Sequence, residues 1–227
     1  MRSNSCRRTS GLDVGEFDAV KSYGIADLDE SFRKEHSRIL SARRGAGFWL
    51  WKPYIVRKTL SEVADGDYVF YCDSGSHFIS SIRPLVDRCE QRNASVMVFE
   101  VKYLERAYTK RDAFILMDCD TKEFAETRQR LSGFNLWKKC RRSQELAAEW
   151  LEYSQDARIL TDGDNQMGKR NYEGFIDHRH DQSALSLVTK KRGVVADRDP
   201  SQFGNSRERD YPHSTYPTII QLTRNRR

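Results

Sequence analysis

The sequence predicts an α/β protein: a single domain around a central mixed, mainly parallel sheet flanked by helices. Three observations carry that reading. Short apolar runs of strand type, Tyr68–Cys72, Val96–Val101 and Gly133–Lys139, alternate with segments of helical periodicity. No internal repeat and no Pro- or Ser-rich linker divides the 227 residues. A chain of that length suits one large domain and can bury a core without disulfide or metal staples.

The elements follow in order. Phe17–Tyr23 ends in a Tyr–Gly pair and reads as a strand. Asp27–Ser41 places Leu28, Phe32, Ile39 and Leu40 among charges, a helix capped by Asp27. Gly45-Ala46-Gly47 is a flexible break. Pro53 suits a first helical turn, so a helix runs from there to Ala64, and Asp65-Gly66-Asp67 turns the chain. Tyr68–Cys72 is a buried strand, Ser81–Arg92 a helix, and Val96–Val101 a second buried strand. Ala113–Met117 fits strand or helix. Asp120 and Glu123 form a capping-box pattern, so Thr121–Leu131 reads as a helix. Gly133–Lys139 is a strand and Ser143–Ser154 an amphipathic helix with Leu146, Trp150 and Leu151 on one side. Asp162–Arg170 is a loop, Asp181–Lys191 a short helix, Arg198–Arg209 irregular, and Thr218–Thr223 a last strand. The domain is expected over 17–205, between a disordered basic segment, 1–16, and a basic C-terminal segment, 206–227.

Charge and cysteine narrow the function classes. Lys and Arg number 39 against 33 Asp and Glu, a formal charge of +6. Residues 1–10 contribute +3 and residues 206–227 another +3, so the body of the chain is neutral. Nucleic acid is therefore not an expected partner, since a nucleic-acid binder carries a basic face on its folded domain. Five widely spaced Cys with no CxxC pair argue for free thiols in a reducing compartment. No apolar run reaches the ~20 residues of a bilayer span, and the N-terminus lacks a secretory apolar region. The chain reads as soluble and cytoplasmic.

Three constellations suit chemistry. Asp73, in Tyr71-Cys72-Asp73-Ser74-Gly75, ends a strand at the edge where open α/β sheets bind ligands. A carboxylate there suits Mg²⁺ or Mn²⁺; the alternative is an Asp–Ser–Gly turn. Residues 36–61 hold Arg38, Arg43, Arg44, Lys52, Arg57 and Lys58 and no acid, beside a Gly-rich loop and a helix start, a combination that suits phosphate. There Trp49, Trp51 and Tyr54 are either stacking platforms or core anchors. His178-Arg179-His180-Asp181-Gln182-Ser183 sits at a loop-to-helix junction, where Asp181 is a cap or a general base. His178 and His180 have HxH spacing but no evident third metal ligand. Asp118-Cys119-Asp120 and Asp162-Gly163-Asp164 are further acidic pairs; spacing does not choose among them.

Arg44-Gly45-Ala46-Gly47-Phe48-Trp49-Leu50-Trp51-Lys52-Pro53-Tyr54, then Gly66-Asp67 and Tyr71–Gly75, resembles small nucleotide-sugar glycosyltransferases of the GT-A type, found in bacterial surface-glycan clusters and large algal viruses. The His178–Ser183 motif and Thr109-Lys110-Arg111-Asp112 also fit that family. The resemblance spans about Gly15 to Leu187. It implies a single GT-A-like domain that moves a sugar from a nucleotide diphosphate donor to a glycan or other hydroxyl acceptor, commonly with Mn²⁺ or Mg²⁺. It places Asp73 near metal and donor, Lys52 at the donor phosphates or sugar, and Asp181 with Gln182 at acceptor and donor. Arg44, Trp51 and Gly75 belong to the donor side, His180 and Lys110 to the acceptor side. Two departures stand out. The Asp73 motif is Asp-x-Gly, without a second carboxylate. Residues 1–16 lack the apolar strand with which the family begins, so impaired donor binding is expected.

Two other readings compete. Asp73 with Glu100-Val101-Lys102 on the next strand matches a metal-dependent nuclease. A degenerate, non-catalytic nucleotide- or sugar-binding module would keep binding and lose transfer.

Overall fold

A computed structural model describes residues 9–223. It is mixed α/β, with small sheets and many short helices. The strands are β1 (Tyr68–Cys72), β2 (Ser76–Phe78), β3 (Val96–Met97), β4 (Glu100–Leu104), β5 (Arg128–Arg130), β6 (Phe134–Lys138) and β7 (Ile220–Leu222). The main sheet has the order β1-β6-β3, with β6 antiparallel to both neighbours, so β1 and β3 run the same way. β2 pairs with β7 and β4 with β5, also antiparallel.

The sheet is therefore not mainly parallel. Among the described residues, parallel pairing is confined to two isolated bridges, Phe99 with Asp197 and Ser201 with Ile220. Every strand lies in register with one arriving from the opposite direction, an arrangement decided by long-range pairing rather than by the pattern of any single run.

Several local expectations change too. Phe17–Tyr23 forms no strand; Phe17 packs edge-on to Phe78 and tilted against Phe70 instead. Residues 27–41 are not one helix but Ile25–Asp27, Glu30–Glu35 and Ser37–Leu40 in succession, and the Asp27 carboxylate accepts from the Gly24 N–H rather than capping the longer helices. The second apolar strand splits into β3 and β4. The helix expected over Thr121–Leu131 stops at Ala125, and β5 follows. Asp120 is not its cap: its carboxylate binds Arg111, Lys169 and Tyr172. Ala113–Met117 lies mostly in the helix Arg111–Leu116. Residues 206–223 are part of the domain, with Tyr216, Ile219 and Ile220 buried in its core. At the other end, Ser10–Val14 forms a π-helical turn; the remaining residues of the expected disordered segment lie partly outside those described.

Three helices position the site. Trp51–Glu62 packs on Arg141–Gln155, which packs on Asp181–Lys191. Trp150, on the middle helix, is wholly buried and stacks parallel to Trp137 of β6 at 6.1 Å. Its indole N–H donates to the carbonyl of Asp181 at 3.0 Å, which fixes the start of the last helix. Truncating such a residue costs about 3–5 kcal/mol, so the site's scaffold is anchored in the core.

Candidate functional site

The approach to Lys52 is a rigid left-handed turn, not a flexible break. Five successive residues have positive φ: Gly45 57°, Ala46 49°, Gly47 95°, Phe48 51° and Trp49 60°. Each non-Gly residue held there costs roughly 1–2 kcal/mol. A β-carbon at Gly45 would lie 2.3 Å from the Trp49 ring, and one at Gly47 2.7 Å from the Leu40 backbone, so both glycines are needed where they stand. The Gly45 carbonyl accepts from the Trp49 N–H at 3.2 Å and from the Trp51 indole at 3.0 Å. Trp51 thus locks the turn through its indole N–H. The turn delivers Lys52 into the protein at the start of the helix.

There Lys52 lies between two carboxylates. Its Nζ is 3.0 Å from Asp73 Oδ1 and 3.5 Å from Asp181 Oδ2. The Tyr71 hydroxyl donates to the same Asp73 oxygen at 2.8 Å. The rings of Trp49 and Tyr71 flank the ammonium at 5.9 and 5.6 Å. Side-chain exposure is 4% for Lys52, 3% for Asp181 and 23% for Asp73, so Asp73 alone opens to solvent. Its backbone is held by a hydrogen bond to Gly133 O at 2.8 Å. Gly75 turns the chain behind it, its carbonyl accepting from the Thr223 N–H at 2.9 Å.

The electrostatics follow from one buried cation between two anions. Burial disfavours the Lys52 charge, but Asp181 and Asp73 outweigh it and hold the pKa above the ordinary lysine value. Burial pushes the Asp181 carboxyl up to about 6, with Asp73 adding and Lys52 and Ser132 opposing. Asp181 Oδ2 has no hydrogen-bond partner. Asp181 is the first helical residue and not the cap. A buried carboxyl raised to about 6, whose Oδ2 faces an ammonium at 3.5 Å without a formed hydrogen bond, suits a general base.

The neighbouring histidines hold opposite tautomers. His178 Nδ1 accepts from the Lys110 N–H at 3.2 Å, which puts its proton on Nε2, toward Ile159 O at 2.7 Å. His180 Nδ1 lies 2.8 Å from Leu160 O, which puts the proton there and leaves Nε2 a bare acceptor. Burial keeps both pKa values below the ordinary histidine value. His180 has φ 51° and ψ −119°, and its ring packs on Phe48 and Trp49.

Other expected site residues make contacts within the fold. Gln182 accepts from the Ser132 N–H and donates to Gln129. Lys110 is buried and donates to the carbonyls of Thr161 and Gly163. Arg44 bridges Asp162 and Asp177. Within the acid-free stretch 36–61, Arg44, Lys52 and Lys58 each meet acids from elsewhere in the chain, while Arg38, Arg43 and Arg57 are exposed. Sequence reading missed Tyr71, Asp162 and Asp177 as members of this neighbourhood. The first stood inside the Asp73 motif, Asp162 stood in an acidic pair that spacing did not single out, and Asp177 gave no local signal.

The nuclease constellation is not assembled. Glu100 begins β4, in a different sheet from β1, and is taken by Arg207 and the Tyr211 hydroxyl, while Lys102 lies over Tyr103. Nor do the residues fit a protein-held metal ion. Asp73 Oδ1 already serves an ammonium and a phenol, and among the described residues no three His, Cys, Asp or Glu side chains converge. A divalent ion at Asp73 would have one carboxylate beside a fixed positive charge. Among those residues no helix is long and apolar enough to cross a membrane.

No family model and no curated protein matches the sequence. Among solved structures, the chain is similar to mouse xyloside xylosyltransferase 1 in its apo form, with a TM-score of 0.43 and 12% identity, over 85% of this chain and 69% of that one.

Proposed function

We propose that this chain moves a sugar from a nucleotide diphosphate donor to a hydroxyl acceptor, with Lys52, Asp73 and Asp181 at the centre. The observation that carries the reading is their meeting. Three motifs far apart in sequence each supply one charged side chain to a single, largely buried cluster. A structural ion pair needs two partners; this one has a cation and two anions, and Asp181 Oδ2 meets the ammonium at 3.5 Å without a formed hydrogen bond.

In this reading Asp73, the solvent-facing member, receives donor hydroxyls. Lys52 is the cation fixed beside the leaving diphosphate, and a charge preplaced in a dry site costs no reorganisation during reaction. The acceptor oxygen forms a bond to the donor's anomeric carbon as the bond to the diphosphate breaks, and Asp181 Oδ2 takes the acceptor's proton. The nucleotide diphosphate leaves with the bond's electron pair. This assignment suits a transfer with inversion.

The test is a thermal-shift screen of nucleotide diphosphate sugars, followed by product analysis with simple saccharide acceptors. A stabilising donor with turnover that disappears in Asp181→Asn supports the reading. A donor that stabilises without turnover points instead to a binding module, and no stabilising donor removes the assignment.

A further inference from the structure

Residues 161–178 contain no regular secondary structure, yet they are held as firmly as an element. A long loop of this kind inside a domain usually carries function. Lys110 Nζ donates to Gly163 O at 2.6 Å. The wholly buried Asp112 accepts from the N–H groups of Gln166 and Met167 at 2.6 and 3.1 Å. Asn165 Nδ2 donates to Asn171 Oδ1 at 2.8 Å, and the Ile176 N–H to Ala107 O at 2.8 Å. Folded in this way, the loop walls a cleft of about 700 Å³ that Arg44 also lines.

The cleft adjoins the Lys52 cluster through His180. That imidazole is 1% exposed, and its bare Nε2 has no hydrogen-bond partner. The nitrogen lies 3.6 Å from Oδ1 of Asp162, a residue of the cleft wall. The next residue is Asp181. A buried acceptor aimed at the wall, on a backbone whose strain is of order 1–3 kcal/mol, is what a ligand site retains and a purely structural loop does not need.

The cleft's charges select the ligand. Arg44 is already neutralised by Asp162 at 3.1 Å and Asp177 at 2.7 Å, Lys110 is spent on carbonyls and Lys169 pairs with Asp120, which leaves Arg170, an exposed side chain whose charge water screens. A phosphate or carboxylate would have to part Arg44 from two acids. A neutral hydroxyl ligand can donate to Asp162, Asp164 or Asp177 and accept from Arg44 with every pair intact. The half-buried Phe175 ring adds an apolar face of the kind a sugar's C–H surface covers.

We infer that this cleft is the acceptor subsite and that it takes a neutral saccharide, not a phosphorylated or acidic one. The term acceptor rests on the transferase reading; the saccharide chemistry does not. Saturation-transfer NMR on the full chain tests it with neutral disaccharides, a uronic-acid disaccharide and a sugar phosphate as probes. Neutral disaccharides are expected to give signal that survives saturating UDP or GDP. The half-exposed Asp162→Asn and Asp177→Asn are expected to weaken it about tenfold, the worth of one charged hydrogen bond, with the thermal midpoint unchanged. Preference for the charged probes, silence from all neutral ones, or full signal in both variants would overturn the inference. Neutral-saccharide binding by a chain that binds no nucleotide sugar would uphold the saccharide site while removing the transferase reading.

Discussion

Two of the buried charged clusters in the molecule are built on opposite principles. Around the wholly buried Glu105, every acceptor position is used. Oε1 takes hydrogen bonds from Thr109 at 2.6 Å and Gln129 at 3.2 Å, and Oε2 takes the Ser186 hydroxyl and the Lys190 ammonium. These partners tie β5 to the helices Glu105–Tyr108 and Asp181–Lys191. Around Lys52, one ammonium serves two carboxylates, Asp181 Oδ2 lacks a hydrogen bond, and the Asp181 carboxyl is pushed up to about 6. A satisfied network holds a fold together; an unsatisfied one keeps capacity for a ligand.

The largest effect that tests this contrast is on stability. Glu105→Ala strands a buried Lys190 and is expected to cost about 4 kcal/mol in urea unfolding. A loss under about 1 kcal/mol would erase the distinction. Lys52→Met leaves two like charges in one buried site. It is expected to cost about 3 kcal/mol at pH 8 and much less at pH 4, where the Asp181 carboxyl is protonated. A loss independent of pH would show that Lys52 matters for packing and not for charge.

Asp181 gives a sharper signature. Its folded pKa of about 6 lies above the ordinary aspartate value, so the folded protein holds this proton more tightly than the unfolded chain. The associated stability is complete below about pH 4 and is lost as pH rises through 6. Asp181→Asn should flatten that slope, removing about 2–3 kcal/mol of pH-dependent change between pH 4 and 7. An unaltered slope would place the titration elsewhere. The smallest effect is expected at Arg44. Its pairs with Asp162 and Asp177 are half exposed, so Arg44→Ala should cost less than about 1 kcal/mol in a thermal melt.

The contrast also explains what the sequence could convey. The helix Asp181–Lys191, β6 and β7 were legible because each is a compact apolar run with its own boundary residues. Thr121–Leu131 was misread because its residues suit a helix locally, while Gln129 and Arg130 are drawn into β5 by partners on distant elements, Glu105 and Ser186. Tertiary pairing overrode propensity there, as it did for strand direction. Lys52, Asp73 and Asp181 each carried a local motif and could be singled out one at a time. That a single ammonium joins them could not be read, because nothing in spacing encodes it. For the same reason Asp118-Cys119-Asp120 looked like a site. In the fold Asp120 is an anchor whose carboxyl is lowered to about 2: burial works against ionisation, but hydrogen bonds from Lys169, Arg111 and Tyr172 prevail.

The central claim is that Lys52, Asp73 and Asp181 hold a nucleotide diphosphate sugar with the protein's own cation. The most direct measurement is the thermal shift caused by UDP- and GDP-sugars in the presence of a chelator, on the intact chain and on Asp73→Asn. One donor should raise the midpoint by several degrees without added metal, and Asp73→Asn should abolish the shift. A shift that appears only with Mn²⁺ or Mg²⁺, or one that survives in Asp73→Asn, would contradict it.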